Sequence, residues 1–182
     1  MTDHDVPTAE ETQVDEPALI HGAPSSLSRG QLVVHVDRET YLEIVTALRD
    51  DGYAFCSDLT AVDYLLATDR PLPVGVTPER FEVVVSLLHM EDAKRVRVRA
   101  QVPENEPTLP TLFGIFPGTE AMEREVYDLF GIVFDGHPDL TRILMPDDWD
   151  GHPQRKDYPL GGVPVQYKGA TIPPPDERRA YK

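Results

Sequence analysis

The chain has 182 residues, with 17 Lys and Arg against 32 Asp and Glu, so its formal net charge is −15 at pH 7. This length suits one globular domain with tails, and the acid excess makes binding to a phosphate backbone unfavourable. The single cysteine, Cys56, excludes an internal disulfide and an iron–sulfur cluster ligated by cysteines of this chain alone. No apolar run approaches the ~20 residues of a membrane span, and no secretory signal opens the chain. We therefore expect a cytoplasmic protein.

Charge divides the chain into three zones. Residues 1–24 hold six acids and no Lys or Arg, a composition that predicts a mobile acidic tail. Residues 25–150 hold 23 acids and 11 bases and predict the folded body. Residues 151–182 hold three acids, six bases and six of the 18 prolines. We expect this last zone to form an extended basic, proline-rich arm that lies on a partner, because proline prevents helix and removes backbone donors.

The first predicted helix follows Asp37, whose carboxylate can accept hydrogen bonds from the free N–H groups that open a helix. Gly52 suits the left-handed position that ends one. Between them, apolar residues recur at the i, i+3, i+4, i+7 spacing of a single helical face. These residues are Tyr41, Ile44, Val45 and Leu48.

Three strands are predicted next. Residues 53–65 favour a strand, or a strand followed by a turn, and residues 81–89 are typical of a strand buried on both faces. After a turn at 90–93, residues 95–102 alternate between apolar and polar side chains, which predicts an antiparallel strand with one wet face. The polar positions of this strand are Arg95, Arg97, Arg99 and Gln101.

Residues 108–116 favour a short helix or a turn. Residues 119–129 give the clearest helix, with Thr119 as its cap and Met122, Val126 and Leu129 on its apolar face. Helices and hairpin strands in this order predict an α+β fold. Specifically, we expect a two-layer sandwich with helices over a mostly antiparallel sheet and an extended C-terminal arm.

The arginine stripe at 95, 97 and 99 has two interpretations. It could bind phosphate or RNA, or it could be a solvated strand face paired with acids on the neighbouring strand. No aromatic residues alternate with the arginines, so the stacking platform of an RNA-binding sheet is missing. The pattern favours the solvated face.

A metal site is one interpretation of residues 123–139, where hard-metal ligand types are dense. These residues are Glu123, Glu125, Asp128, His137 and Asp139. Residues 123 and 125 point about 200° apart on a helix, and no HExxH or ExxH pair is present. The i, i+4 spacing of Arg124 and Asp128 instead predicts an intrahelical ion pair.

Other catalytic constellations are weak. A second acidic cluster predicts a polar turn or a partner contact more than a metal site; its members are Asp147, Asp148, Asp150 and His152. There is no GxSxG elbow, and Cys56 lies in an apolar stretch without a nearby base, which favours a buried structural thiol. No nucleotide-binding glycine loop occurs.

Three short motifs follow one another in residues 123–160: ERExxDLFG, GHPDL and GHPxRKDYPL. Upstream lie SDLTAVDYL at 57–65 and the strand FEVVVSLLH at 81–89. Together they resemble the family of C-type subunits of respiratory complex I, the proton-pumping NADH:quinone oxidoreductase. The resemblance covers roughly residues 32–160.

The resemblance implies a cofactor-free accessory subunit of the hydrophilic arm, peripheral on the cytoplasmic side of the cell membrane. Family members pack beside the homologue of the D-type subunit and near iron–sulfur subunits. FMN, iron–sulfur clusters and quinone would be bound by those partner subunits. No catalytic, cofactor-binding or metal-binding residue is therefore expected in this chain.

The resemblance also assigns a partner interface. Its residues are Glu123, Arg124, Glu125, Asp128, His137, Arg142, Arg155, Lys156, Asp157 and Tyr158. The first four would form a charged helix face that orients the next loop or docks a neighbour. Tyr127 and Phe130 would lie against the body, Gly131 would end the helix, and His137 with Pro138 would start a rigid turn. The charges at 142 and 155–157 would form ion pairs across an interface, or would only stabilise this chain's own C-terminal turn.

Two other functions stay open. Family members also resemble subunits of membrane-bound nickel–iron hydrogenase and ferredoxin-type dehydrogenase complexes, so the fold alone does not select the electron donor. A remote alternative is a stand-alone metal-dependent enzyme that uses Glu123, Glu125 and His137.

Overall fold

The computed structural model describes residues 18–67 and 69–159, together with the backbone of two short strands at 165–167 and 170–172. Residues 1–17 of the predicted acidic tail lie outside the described residues, as does most of the predicted arm beyond residue 159. The elements, in chain order, are β1 Leu19–Ile20, β2 Ala23–Ser28, β3 Gln31–Asp37, α1 Tyr41–Asp50, β4 Phe55–Asp63, β5 Phe81–His89, β6 Lys94–Val102, β7 Thr108–Pro110, a 3₁₀ turn Pro117–Thr119, α2 Glu120–Phe130, β8 Val133–Asp135, β9 Val165–Tyr167 and β10 Ala170–Ile172.

Six strands form the main sheet in the order β1-β2-β3-β6-β5-β4. All neighbours in this sheet are antiparallel except β3 and β6, which run parallel with Val34 opposite Val98. Helices α1 and α2 cover one face of the sheet. The predicted α+β fold, with helices over a mostly antiparallel sheet, is confirmed.

The core lies between this face and the helices. Because side chains alternate along a strand, β5 and β6 send their apolar residues to the same side, where Val85 lies opposite Val98 and both are fully buried. The predicted stripe of α1 packs against them, and all four of its residues are buried. Each such side chain contributes roughly 1.5–3 kcal/mol by leaving water.

Helix α1 begins later than predicted. Asp37 ends β3, and its backbone carbonyl accepts a hydrogen bond from the Thr40 N–H at 3.2 Å, which closes a turn. Thr40, not Asp37, therefore occupies the N-cap position. The predicted end at Gly52 is confirmed: its φ is +101°, and the N–H groups of Gly52 and Tyr53 reach back to the carbonyls of Arg49 and Leu48.

Two further predictions are corrected. Residues 108–110 form strand β7, which pairs in parallel with β8, and only 113–115 form a turn, so no helix exists there. Strand β6 is also not an ordinary wet-faced antiparallel strand. It lies in the middle of the sheet beside a parallel neighbour, and its polar face is covered at one end, where Gln101 is only 2% exposed.

The cover on that polar end comes from the loop between β4 and β5. Arg70 in this loop donates hydrogen bonds to Glu82 at 2.7 Å and to Gln101 at 2.6 Å, and its guanidinium lies 3.7 Å from the Tyr64 ring centroid. The buried carboxylate of Glu82 on the polar face is thereby paired with a cation.

Within the described ranges, neither helix is long and apolar enough to cross a bilayer.

Candidate functional site

The motif residues converge on the C-terminal end of α2, where Asp128 holds the following loop. Its carboxylate is fully buried and accepts hydrogen bonds from Arg142 Nη1 at 2.7 Å and from three consecutive backbone N–H groups, those of Ile143 at 3.1 Å, Leu144 at 2.8 Å and Met145 at 2.8 Å. Burial alone would raise the pKa of Asp128, but these N–H donors and Arg142 outweigh it and hold the pKa below its usual range. We call this arrangement the Asp128 clamp.

The clamp presents apolar side chains to solvent. Ile143 is 41% exposed and Leu144 is 55% exposed, although their backbone N–H groups are tied to a buried carboxylate. The loop is thus fixed from beneath while its side chains face outward. Two adjacent exposed apolar side chains on a fixed loop form a candidate protein contact.

Arg124 supports the same loop from the preceding turn of α2. Its guanidinium donates to the Thr141 carbonyl at 3.1 Å, to the Thr141 hydroxyl at 3.0 Å and to the Arg142 carbonyl at 3.0 Å. The predicted intrahelical pair between Arg124 and Asp128 is therefore wrong. Each side chain reaches a different part of the loop, because the loop folds back over the helix and offers better-placed partners.

His137 fixes the turn that leads into this loop. Its Nδ1 accepts from the Asp139 N–H at 3.1 Å, and its Nε2 lies 3.1 Å from the Glu120 carbonyl. Both contacts lie within the chain. They leave no free ring nitrogen for a metal.

Glu123 points the opposite way, into the core. It is fully buried, and its carboxylate accepts from the Leu112 N–H at 2.7 Å and from the Thr111 hydroxyl, with the Thr119 hydroxyl 3.1 Å away. Burial raises the pKa of Glu123 above its usual range, while these donors oppose the rise. The predicted single charged face is therefore wrong for Glu123, whereas the predicted role of orienting the next loop is confirmed for Arg124 and Asp128. Glu123 ties down the turn before α2, whereas Glu125 is exposed.

The candidate metal ligands are not brought together. Within the part of the chain that the structure describes, no group of three or more His, Cys, Asp or Glu residues could hold a metal ion. Cys56 is half-buried, and burial raises the pKa of its thiol to about 11. That environment suppresses the nucleophilic thiolate, because the thiolate is the charged form.

The GHPxRKDYPL motif closes over the end of α2. Helices leave their last carbonyl groups without partners. Here the Asp128 carbonyl accepts from His152 Nδ1 at 2.9 Å, and the Leu129 carbonyl accepts from the Gln154 N–H at 3.0 Å. The His152 ring also meets the edge of Tyr127, with ring centroids 6.2 Å apart. Residues 151–154 of the predicted arm thus cap this chain's own helix.

Gly131 makes room for this closure. It ends α2 as predicted, with φ +76° and its N–H bonded to the Tyr127 carbonyl. A Cβ at this position would lie 2.7 Å from the His152 ring. The glycine is therefore required both for backbone conformation and for the close approach of the GHP turn. Phe130 beside it is buried in the core, as predicted.

A second junction joins the motif at 57–65 to the end of the signature. Arg80 precedes β5 and makes a two-point contact with Asp63 of β4, with nitrogen–oxygen distances of 3.1 and 2.9 Å. The same guanidinium lies 2.9 Å from Asp157 and also contacts Glu104. Asp63 in turn accepts from the Lys156 backbone N–H at 2.8 Å. We call this set the Arg80 junction.

Electrostatics in the Arg80 junction are strong because Arg80 and Asp63 have side-chain exposures of only 6% and 0%. Burial opposes ionisation of Asp63, but Arg80 and the N–H groups of Lys156 and Leu65 hold its pKa below the usual range. Arg155 lies 3.2 Å from Asp157. Hydrogen bonds from Arg155 and from Arg80 lower the pKa of Asp157 to about 2.

Sequence reasoning missed Asp63 and Arg80. Asp63 lies inside the motif at 57–65, so the signal that could have found it was present in the sequence. No sequence signal marked Arg80, because its partners Asp63 and Asp157 are 17 and 77 positions away along the chain. Lys156 contributes its backbone N–H while its side chain is exposed, and Tyr158 is half-buried beside Gly151.

The geometry thus defines an α+β domain whose C-terminal signature is fastened onto its own last helix and sheet edge. A sequence profile of the family described as respiratory-chain NADH dehydrogenase, 30 Kd subunit, matches residues 34–164. The chain belongs to this family.

Individual relatives agree. The C-type subunit of NADH-quinone oxidoreductase from Salinispora arenicola is 50% identical over 159 residues, which cover 86% of this chain and 61% of that protein. The same subunit from Mycobacterium avium is 51% identical over 156 residues, with 84% and 63% covered. That of Acidothermus cellulolyticus is 47% identical over 160 residues, with 86% and 79% covered. The chain therefore spans about three-fifths of the length of the first two relatives.

Solved structures share the fold. A trypsin-resistant fragment of Nqo5 superposes with a TM-score of 0.58 at 40% identity, covering 66% of this chain and 91% of the fragment. A chain of the membrane-bound sulfane sulfur reductase, an archaeal respiratory membrane complex, gives a TM-score of 0.63 at 23% identity, covering 76% and 78%. The second likeness shows a shared fold alone.

Proposed function

We propose that this chain is a structural subunit of NADH-quinone oxidoreductase. It packs in the hydrophilic arm of the complex, beside the homologue of the D-type subunit and near the iron–sulfur subunits. FMN, the iron–sulfur clusters and quinone are bound by those partners, so electrons pass from NADH to quinone without entering this chain. The complex holds it peripherally at the cytoplasmic side of the cell membrane.

The observation that carries this proposal is the Asp128 clamp with its two exposed apolar side chains. An enzyme site brings polar groups together in a cavity, whereas here three charged residues of the signature, Arg124, Asp128 and Arg142, fix a loop. The outward side of that loop presents Ile143 and Leu144 to another molecule. We call the exposed side chains of Ile143 and Leu144 the apolar knob. Because the clamp already fixes this knob, little conformational entropy is lost when a protein partner binds it.

The choice of complex rests on sequence more than on fold. The fold is shared with the archaeal sulfane sulfur reductase chain at 23% identity, so it is compatible with hydrogenase-type and ferredoxin-type complexes. Identities of 47–51% to the C-type subunits of NADH-quinone oxidoreductases favour the NADH-linked complex.

The proposal is tested by affinity purification of the tagged full chain from detergent-solubilised membranes of its native host. We expect the other subunits of NADH-quinone oxidoreductase, including the homologue of the D-type subunit, in near-equal amounts by mass spectrometry. Recovery of the chain alone in the soluble fraction would refute the proposal, and co-purified hydrogenase subunits would select the alternative complex.

A matched pair of variants tests the surface. Placing a charge at the knob, with Ile143→Asp and Leu144→Asp together, is expected to reduce recovery of partner subunits at least about tenfold, because desolvating a carboxylate in an interface costs several kcal/mol. The control is Met90→Asp, at a 65% exposed methionine in the β5–β6 turn. Equal recovery with both variants would exclude the knob as a contact.

A further inference from the structure

The polar face of the main sheet, opposite the helices, carries an arginine-lined trough. Arg95, Arg97 and Arg99 lie at alternate positions of β6 and so share this face, and Arg29 in the β2–β3 turn joins them. A cleft of about 560 Å³ lies between β2, the loop at 70–74 and Arg99. A depression of about 480 Å³ adjoins it at Arg29, Arg97 and Arg99, and a smaller one follows at Arg95 and Arg97. We call the four arginines and these depressions the arginine trough.

The charge of the trough is largely uncompensated. None of the described residues that line the three depressions is a carboxylate, although the chain has 32 acids. Arg99 has a partial partner, since its Nε lies 3.4 Å from Glu82, an acid that Arg70 already pairs. Among the described residues, the Arg97 side chain bonds only the neutral Gln31 amide oxygen, at 2.7 Å. Within the described part of the chain, Arg29 and Arg95 have no ion-pair partner.

The floor of the trough is polar as well. His35 is 3% exposed, its Nε2 lies 3.1 Å from the Ser26 hydroxyl, and its Nδ1 has no hydrogen-bond partner among the described residues. Leu27 and Val74 stand at the rim, 76% and 66% exposed. An extended segment with carboxylates and a few apolar side chains matches this lining, because guanidinium groups pair with carboxylates at two points.

A segment of that chemistry is present in the same chain. Residues 1–17 contain six acids and no Lys or Arg, with apolar Val6 and Val14 among them. They join the sheet at Ala18, whose carbonyl accepts from the Ser25 N–H at 2.8 Å at the start of β2. Strand β6 is two strands from β2, which is about 10 Å. Seventeen residues reach up to ~60 Å when extended, so the trough is well within range.

We infer that the arginine trough binds the chain's own acidic N-terminal segment, residues 1–17, through carboxylate–guanidinium pairs. Covalent attachment gives the segment an effective concentration in the millimolar range, so weak individual pairs are sufficient. Nucleic acid fits the trough less well, since the stacking aromatics are missing and the chain repels phosphate at net −15. This inference is independent of the proposed function.

The test uses a fluorescently labelled peptide of residues 1–17 and the full chain in two forms, wild type and an amide variant in which the six acids are neutralised. The substitutions are Asp3→Asn, Asp5→Asn, Glu10→Gln, Glu11→Gln, Asp15→Asn and Glu16→Gln. Fluorescence anisotropy at low salt is expected to show peptide binding to the amide variant and at least about tenfold weaker binding to wild type, whose trough is already occupied. Binding is expected to weaken strongly at 1 M salt, where the Debye length is about 3 Å.

Variants of the trough locate the binding site. Adding Arg95→Gln and Arg97→Gln to the amide variant is expected to weaken peptide binding about tenfold, because two of the carboxylate–guanidinium pairs are lost. The control is Arg49→Gln, an exposed arginine of α1 in the other layer, and thermal melts check that each variant is folded. Failure of the peptide to bind, or binding that ignores Arg95 and Arg97, would overturn the inference. Equal binding to wild type and the amide variant would overturn it too, and would assign the trough to an acidic segment of another protein.

Discussion

Asp128 shows how a buried acid is made stable at neutral pH. Four N–H donors, one of them cationic, replace the water that the carboxylate loses on burial. Such a group is costly to disturb, because removing one member leaves the others buried without partners. The effect reaches well beyond the side chain, since the path of residues 141–145 depends on it.

Replacing Asp128 by Asn is therefore expected to lower the free energy of unfolding by about 3 kcal/mol, because the amide cannot accept from all four donors and Arg142 loses its carboxylate partner. Urea denaturation of the isolated chain measures the change. The control is Glu125→Gln on the exposed side of the same helix, which is expected to change stability by less than about 0.5 kcal/mol. Equal effects of the two substitutions would contradict the clamp.

Gly131 makes a separate prediction. Gly131→Ala is expected to cost about 2 kcal/mol or more, since the left-handed conformation strains an L-residue by about 1–2 kcal/mol and the new Cβ would overlap the His152 ring. The matched control is Gly118→Ala, where a Cβ meets nothing within 4 Å. Thermal melts of both variants distinguish the two sites. A harmless Gly131→Ala would mean that the GHP turn does not close on α2.

Among the secondary-structure elements, the Arg80 junction is what fastens the C-terminal signature to the sheet. It joins the end of β4, the start of β5 and residues 156–157 around one guanidinium. Two guanidinium groups lie near the phenyl ring of Phe81, that of Arg80 at 4.8 Å and that of Arg155 at 5.3 Å from the ring centroid. The two arginines differ in burial, with side chains 6% and 26% exposed, so their substitutions should differ in effect.

Arg80→Ala is expected to destabilise the isolated chain by about 3–5 kcal/mol, because buried Asp63 loses its cation. Arg155→Ala removes a more exposed pair and is expected to cost the isolated chain less than about 1 kcal/mol. Urea denaturation separates them. For Arg155→Ala we further expect reduced co-purification of partner subunits, since residues 155–158 belong to the predicted interface. Early unfolding of Arg155→Ala with unchanged co-purification would make it an intrachain stabiliser only.

Stability of the domain as a whole should depend on acid pH through its paired carboxylates. The folded-state pKa values of Asp63, Asp128 and Asp157 are all lowered, so their stabilisation is fully present above the unfolded value near 3.9 and is lost as the pH falls. Glu123 acts in the opposite sense, because its folded-state pKa is raised. Its protonation as the pH falls increases the free energy of unfolding.

Comparison of wild type with Asp157→Asn isolates one of these contributions. The wild type is expected to be the more stable at pH 5, and the difference in Tm is expected to shrink between about pH 4 and pH 2, as the wild-type carboxylate is protonated. Thermal melts at half-unit pH steps measure it. A difference that stays constant across this range would mean that the charge of Asp157 is not what stabilises the junction.

Much of the fold was predictable because its signals are local. The stripe of α1, the alternation of β6 and the capping glycines at 52 and 131 depend on neighbours within a few residues, and residue spacing locates each of them. The family was likewise evident from motifs that are continuous in the chain. The start of α1 was predicted less accurately than that of α2, whose N-cap is Thr119 as expected, because Asp37 belongs to a turn that residue spacing does not reveal.

The amino-acid order thus sets which segments become helix or strand and to which family the chain belongs, since both depend on short-range pattern. The parallel pairing of β3 with β6, the burial of Glu123 and Asp128, and the role of Arg80 emerge only when distant segments meet. Burial and charge pairing depend on what surrounds a side chain in space. A charged residue of the signature, such as Asp128, can therefore hold the chain together from inside. The exposed surface beside it is then formed by apolar residues, here Ile143 and Leu144.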